Sequence, residues 1–201
     1  MRISLAAILC VGVALPFSSC KKGCDTEDLP QYSLTPGLRA WAAPYPKDAV
    51  LRFRNARTGY VRSYRVTTAE NVTADPVSGG GIDVCPQYYR EYSAHLLQRT
   101  DSTGNVENKE IFFRLIMDRS TRLQTTFVIG STSLEPPLQA IEDGTVTLSP
   151  ATFAGRTYPA VWGGTIPNTI MRPGVVTTLF LTKADGLIRF EERGGTVWDR
   201  Q

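Results

Sequence analysis

The chain has 201 residues, 42% hydrophobic and 20% charged, with a formal net charge of +3. That is an ordinary globular mixture, so disorder and fibre are excluded, and the length suits one domain with a sizeable core. A balance this close to neutral provides no strongly basic face for nucleic acid.

The chain opens MRISLAAILCVGVALPFSSCKKGC. One positive charge, Arg2, precedes an unbroken small and apolar stretch from Leu5 to Leu15, and Ser18 and Ser19 follow. This is the layout of a secretory signal with its n-region, h-region and cleavage site. A membrane-spanning helix needs about 20 mostly apolar residues. Pro16, Lys21 and Lys22 close this run before that length. Residues 1–19 are therefore expected to be removed, and without Arg2 the mature body carries 21 basic against 19 acidic side chains, a net of +2.

Phe17-Ser18-Ser19-Cys20 resembles the lipobox of bacterial lipoproteins, with Phe17 in the place of the usual Leu. The resemblance implies that Cys20 becomes the first mature residue, carrying a diacylglyceryl thioether and an acylated amine. Each buried methylene contributes about 0.8 kcal/mol, so two or three acyl chains hold a protein on a membrane. The alternative is an ordinary secreted protein cut nearby, with Cys20 a plain thiol. A thioether sulfur is no longer a thiolate, so a lipidated Cys20 cannot clip a metal with Cys24. Lys21 differs from the acidic second residue associated with inner-membrane retention, which places the expected anchor in the outer membrane, on its periplasmic or surface face.

With Cys20 lipidated, Cys24 and Cys85 are the two cysteines of the mature chain that remain. Exported proteins meet oxidising machinery, so the pair is expected to form a disulfide. Closing their separation of 61 residues is worth about 4 kcal/mol in the chain-entropy model.

Residues 20–47 contain four prolines and little apolar periodicity, and read as a lipidated tether that becomes a lead-in to the domain. Asp25, Glu27 and Asp28 resemble the short charged signals after the lipidated cysteine of surface-exposed Bacteroidota lipoproteins. Trp41 and Tyr45 have two readings. They dock the lead-in onto the domain, or they join Tyr88 and Tyr89 in a contact surface for a partner.

Residues 48–201 read as a single antiparallel β domain. In AVLRFRN, Leu51 and Phe53 share one face and Arg52 and Arg54 the other, the signature of a half-buried strand. RTGY is a turn, and YVRSYRV completes a hairpin. The recurrent arginines of this region read as a solvated face. ENVTADPVSGGGIDVCP, with Asp75-Pro76 and three glycines, reads as a flexible excursion. Gly79 to Gly81 lack the Lys-Ser/Thr and helix start of a phosphate loop. YSAHLLQR, EIFFRLIMD and TRLQTTFVI are strand-like, and the apolar residues on both sides of EIFFRLIMD predict a central strand covered on both faces.

TVTL, RTYPAVWGG, VVTTLFLTK, GLIRFEE and GTVWD follow as short β-prone runs, with hairpin turns at Asp185-Gly186 and Gly194-Gly195. No βαβ alternation appears. The expected fold is all-β, an antiparallel meander forming a curved sheet, either a partly open, lipocalin-like barrel or a two-sheet sandwich. LRAW, LRFRN, SYRV and the closing GLIRFEERGGTVW resemble the wording of small Bacteroidota lipoproteins. This resemblance rests on strands and turns, so it implies localisation and fold and carries over no catalytic residue.

The chain has one histidine, His95, and no GxSxG elbow for it to serve. With Cys20 lipidated, zinc ligands are too few, and no metal or other cofactor is expected. Glu135, Glu142, Asp143, Glu191 and Glu192 are the acids from which a glycosidase pair would have to come. The expected function is a non-enzymatic envelope lipoprotein, anchored in the membrane, that serves as a structural module or binds an envelope protein, glycan or lipid. The competing expectations are a carrier of apolar ligands in a concave sheet and a carboxylate-based hydrolase.

Overall fold

A computed structural model describes residues 24, 26–79, 85–102, 107–166 and 172–201. Residues 1–19 and Cys20 lie outside the described residues, as do Gly80 and Gly81. The elements in chain order are β1 (Gln31–Tyr32), α1 (Pro36–Ala40), β2 (Val50–Asn55), β3 (Val61–Ser78), β4 (Pro86–Arg99), β5 (Glu110–Met117), β6 (Leu123–Ile129) and β7 (Thr132–Leu134). They continue with α2 (Leu138–Glu142), β8 (Ser149–Phe153), β9 (Arg156–Thr165), β10 (Val176–Thr182), β11 (Gly186–Glu192) and β12 (Thr196–Arg200).

The strands form an antiparallel sheet in the order β7-β6-β5-β4-β3-β2-β12-β11-β10-β9-β8, curled into a half-barrel. β1 adds a short parallel rung on β4. The chain's last strand thus lies in the middle of the sheet, with Trp198 opposite Asn55 of β2 on one side and Phe190 of β11 on the other. The two edge strands, β7 and β8, are consecutive in the chain and joined through α2. Across the opening the walls are linked by side chains. Thr132 Oγ1 donates to the Val176 carbonyl at 3.3 Å, and Asn108 Nδ2 donates to the Gly174 carbonyl at 2.7 Å.

Alternation fixes which face is concave. β2 buries Leu51, Phe53 and Asn55 and exposes Val50, Arg52 and Arg54, as period-two patterning requires. The same inner face carries Tyr64, Val66, Leu97, Ile111, Phe113, Leu115, Phe127 and Phe190, all at 2% exposure or less. Burial of such side chains contributes about 1.5–3 kcal/mol each. The middle of this core is filled by the lead-in, whose Leu34, Leu38, Trp41 and Tyr45 are each no more than 2% exposed.

Three local expectations are corrected. TADPVS is not an excursion but the far half of β3, paired with β4 as far as Ser78. Past Val66 this half of β3 has no second partner strand, and such an edge tolerates Pro76 without an N–H. TVTL is not a strand, because the amides of Thr145 and Val146 are spent on the Ala140 carbonyl at the end of α2. The lead-in also contains a helix that its prolines concealed. Thr35 caps α1 by accepting from the Leu38 amide at 3.2 Å, and Pro36 occupies the first turn, where no N–H is needed.

Candidate functional site

Two polar regions flank β4, one on each face. On the concave side, Glu91, Ser93 and His95 alternate with Tyr92 and Ala94, and all three are at most 5% exposed. They face the lead-in. Glu91 accepts from the Leu34 amide at 3.0 Å and from Arg39 Nη2 at 2.7 Å. His95 Nδ1 donates to the Tyr45 carbonyl at 2.9 Å, and Nε2 lies 2.7 Å from the Ser93 hydroxyl oxygen. The Ser93 hydroxyl donates to Asn71 Oδ1 at 2.8 Å. Burial pushes the imidazole's pKa down, against the raising effect of its bond to the Tyr45 carbonyl. Burial thus disfavours the charged form of the ring.

Further bonds complete the seat of the lead-in. Trp41 Nε1 donates to Glu142 Oε1 at 2.8 Å, and Lys183 Nζ holds Glu142 Oε2 at 2.7 Å. The Tyr45 hydroxyl accepts from the Leu187 amide at 2.8 Å. Its ring stands so close to Gly186 that a Cβ there would lie 2.5 Å from the hydroxyl oxygen. Gly186 is thus required twice, by its φ of 70° in the turn and by Tyr45. The sequence offers a signal only for the turn.

On the convex side, β3, β4 and β5 form the floor and walls of an open groove of about 500 Å³. Tyr92, Phe112 and Ile116 supply apolar surface, while Glu70, Arg90 and Arg114 supply charge of both signs. Arg90 Nε meets Asp75 at 2.8 Å, and the Tyr92 hydroxyl donates to Glu70 at 3.4 Å. Burial and the neighbouring Glu70 and Asp75 raise the Tyr92 pKa. Arg114 lies 5.7 Å from the centre of the Phe112 ring. Of the outer apolar residues of EIFFRLIMD that line this groove, Phe112 is half-buried and Ile116 is 7% exposed, with no second sheet over them among the described residues.

The structure separates the residues expected to form one contact surface. Trp41 and Tyr45 are 2% and 1% exposed, so they are core residues that dock the lead-in and are not available to a partner. Tyr88 and Tyr89 are half-buried near the outer end of the β3–β4 hairpin, where the Tyr88 ring meets Tyr32 edge-on at 5.5 Å. Cys24 and Cys85 form the expected disulfide, with their Cα atoms 5.4 Å apart. The candidate acids are dispersed. Glu142 serves Trp41 and Lys183, Glu192 pairs with Arg62, and Glu191 pairs with Arg189 at 2.9 Å. Glu135 and Asp143 are exposed.

Among the described residues, no group of three or more His, Cys, Asp and Glu is placed to hold a metal ion. No helix among them is long and apolar enough to cross a membrane. No protein-family model matches the chain, and neither the curated proteins nor the solved structures gave a match. The chain's own geometry is the ground for a functional reading.

Proposed function

We propose that this chain is a non-enzymatic, membrane-anchored module of the bacterial cell envelope that binds its partner on the outer face of β3, β4 and β5. The observation that carries the reading is the occupied concave face. A carrier of apolar ligands needs an empty interior, and here Leu34, Leu38, Trp41 and Tyr45 fill it. The surface turned to solvent is the outer groove, with aromatic rings and guanidinium and carboxylate groups of the kind that make recognition sites. Lipid on Cys20, expected from the sequence, supplies the anchor in the outer membrane, and no nucleic acid is involved.

The chemistry on the concave side agrees with a positioning role. Ser93 and His95 lie at hydrogen-bond distance, but they are 3% and 2% exposed beneath the lead-in. A nucleophile needs a path for its substrate and donors for the oxyanion. Here the Ser93 oxygen is engaged by His95 and Asn71.

A photo-crosslinking residue at Arg114, introduced into the protein in its native envelope, tests the reading. Capture of one partner from position 114, and not from exposed Arg119, is the expected result. A stoichiometric apolar lipid extracted from the purified protein would overturn it in favour of the carrier.

A further inference from the structure

The disulfide ties Cys24, six residues before Pro30, to Cys85 at the start of β4. Cys85 opens the outer end of β4, where β3 and β4 run past the end of β5 and no longer have it as a neighbour. In that stretch β1 takes the place of β5, with Gln31 opposite Tyr89 and Tyr32 opposite Arg90. The Tyr89 amide donates to the Pro30 carbonyl at 2.8 Å, and Gln31 Nε2 donates to the Thr73 carbonyl at 2.9 Å. The result is a three-stranded projection bearing Tyr32, Tyr88 and Tyr89, all half-buried.

Covalent reach determines where this projection can be. Cys24 is four residues beyond Cys20, so the extended chain between them spans at most about 14 Å. With the 5.4 Å between the Cα atoms of Cys24 and Cys85, the end of the hairpin stays within about 20 Å of the Cys20 Cα. Without the disulfide, the first fixed point after Cys20 is β1, eleven residues away, and the extended tether reaches about 40 Å. The bond therefore halves the height available to that end of the domain, the end to which β1 already leads the tether.

We infer that the Cys24–Cys85 disulfide clamps the end of the β3–β4 hairpin against the membrane, so that Tyr32, Tyr88 and Tyr89 meet the lipid headgroups. The inference rests on the proposed lipid anchor at Cys20. Tyrosine suits this occupant, since its ring is apolar and its hydroxyl stays hydrated, the combination found at membrane–water interfaces. Lys21 and Lys22, between the anchor and the disulfide, add charge suited to anionic headgroups. The clamp also turns the opposite end of the half-barrel toward the aqueous side.

The test uses the full lipidated protein in nanodiscs that contain a lipid with a gadolinium-chelating headgroup. The expected result is loss of amide signal intensity concentrated in residues 74, 75, 77, 78 and 87–90. A second sample carries a Gly-Ser segment inserted between Lys22 and Gly23, which leaves the folded domain and the disulfide intact. There the lost intensity is expected to return. Loss concentrated at the turn between β2 and β3, or a pattern unchanged by the insertion, would overturn the clamp. The mass of the N-terminal peptide from the same samples separates the two readings. An unlipidated Cys20 sinks the anchor itself, whereas a lipidated Cys20 without the hairpin pattern sinks the clamp alone.

Discussion

His95 is held between the Tyr45 carbonyl at Nδ1 and the Ser93 hydroxyl at Nε2. Burial lowers its pKa from the ordinary 6.5. The unfolded chain therefore binds the proton more readily than the folded one. Above the unfolded pKa both states are neutral and His95 adds no pH dependence. As pH falls below that value the unfolded state gains a proton first, and stability declines. Each tenfold difference in proton affinity corresponds to about 1.4 kcal/mol. Urea unfolding at pH 7.5 and 5.5 is expected to show a lower midpoint at the acid value, and His95→Gln to flatten that difference. An unchanged difference in the variant would assign the acid sensitivity to other groups.

The lead-in is the element on which the interior depends. Its short helix could not persist alone, since isolated helices of this length are marginal in water. What holds it is a series of contacts with different parts of the sheet: Glu91 at Leu34 and Arg39, Glu142 at Trp41, and His95 and Leu187 at Tyr45. Trp41→Ala would remove the largest of its buried side chains and leave the Glu142 carboxylate with Lys183 alone. A loss of about 3–5 kcal/mol is expected, read as a lower denaturant midpoint. A loss well under 1 kcal/mol would mean that the lead-in is an accessory to a sheet that holds its core without it.

For the molecule as a whole, the position of β12 matters more than its length. Five residues at the end of the chain join the β2–β7 half of the sheet to the β8–β11 half. Trp198 is 3% exposed, stacks on Phe190 at 6.0 Å between ring centres and lies beneath the Arg62 guanidinium at 3.7 Å. Removing residues 196–201 would uncover the facing edges of β2 and β11. Such edges invite association with other chains. The truncated protein is expected to lose its cooperative thermal transition and to aggregate, as checked by calorimetry and size-exclusion chromatography. A sharp transition near that of the intact chain would show that the two halves fold without their central strand.

Much of this architecture is local and therefore visible in the residues themselves. Period-two alternation assigns Leu51 and Phe53 inward, and the Asp185-Gly186 turn and its flanking strands need only nearest neighbours to be recognised. The Cys24–Cys85 pair is legible because an exported chain with so few cysteines offers few alternative pairings. Other features depend on contacts far apart in sequence. Trp41 and Tyr45 carry no local mark that distinguishes a core residue from a surface aromatic, and Glu142, which receives Trp41, lies 101 positions away. Phe112 and Ile116 look like the second face of a covered strand, and Ile116 is indeed buried, whereas Phe112 stays half-buried in an open groove over which the described residues place no second sheet. The sequence by itself determined most of the strands and their inward faces, since alternation acts locally. Only the tertiary structure decided that the lead-in fills the half-barrel and that the last strand lies at its centre, because both follow from which distant surfaces can bury each other.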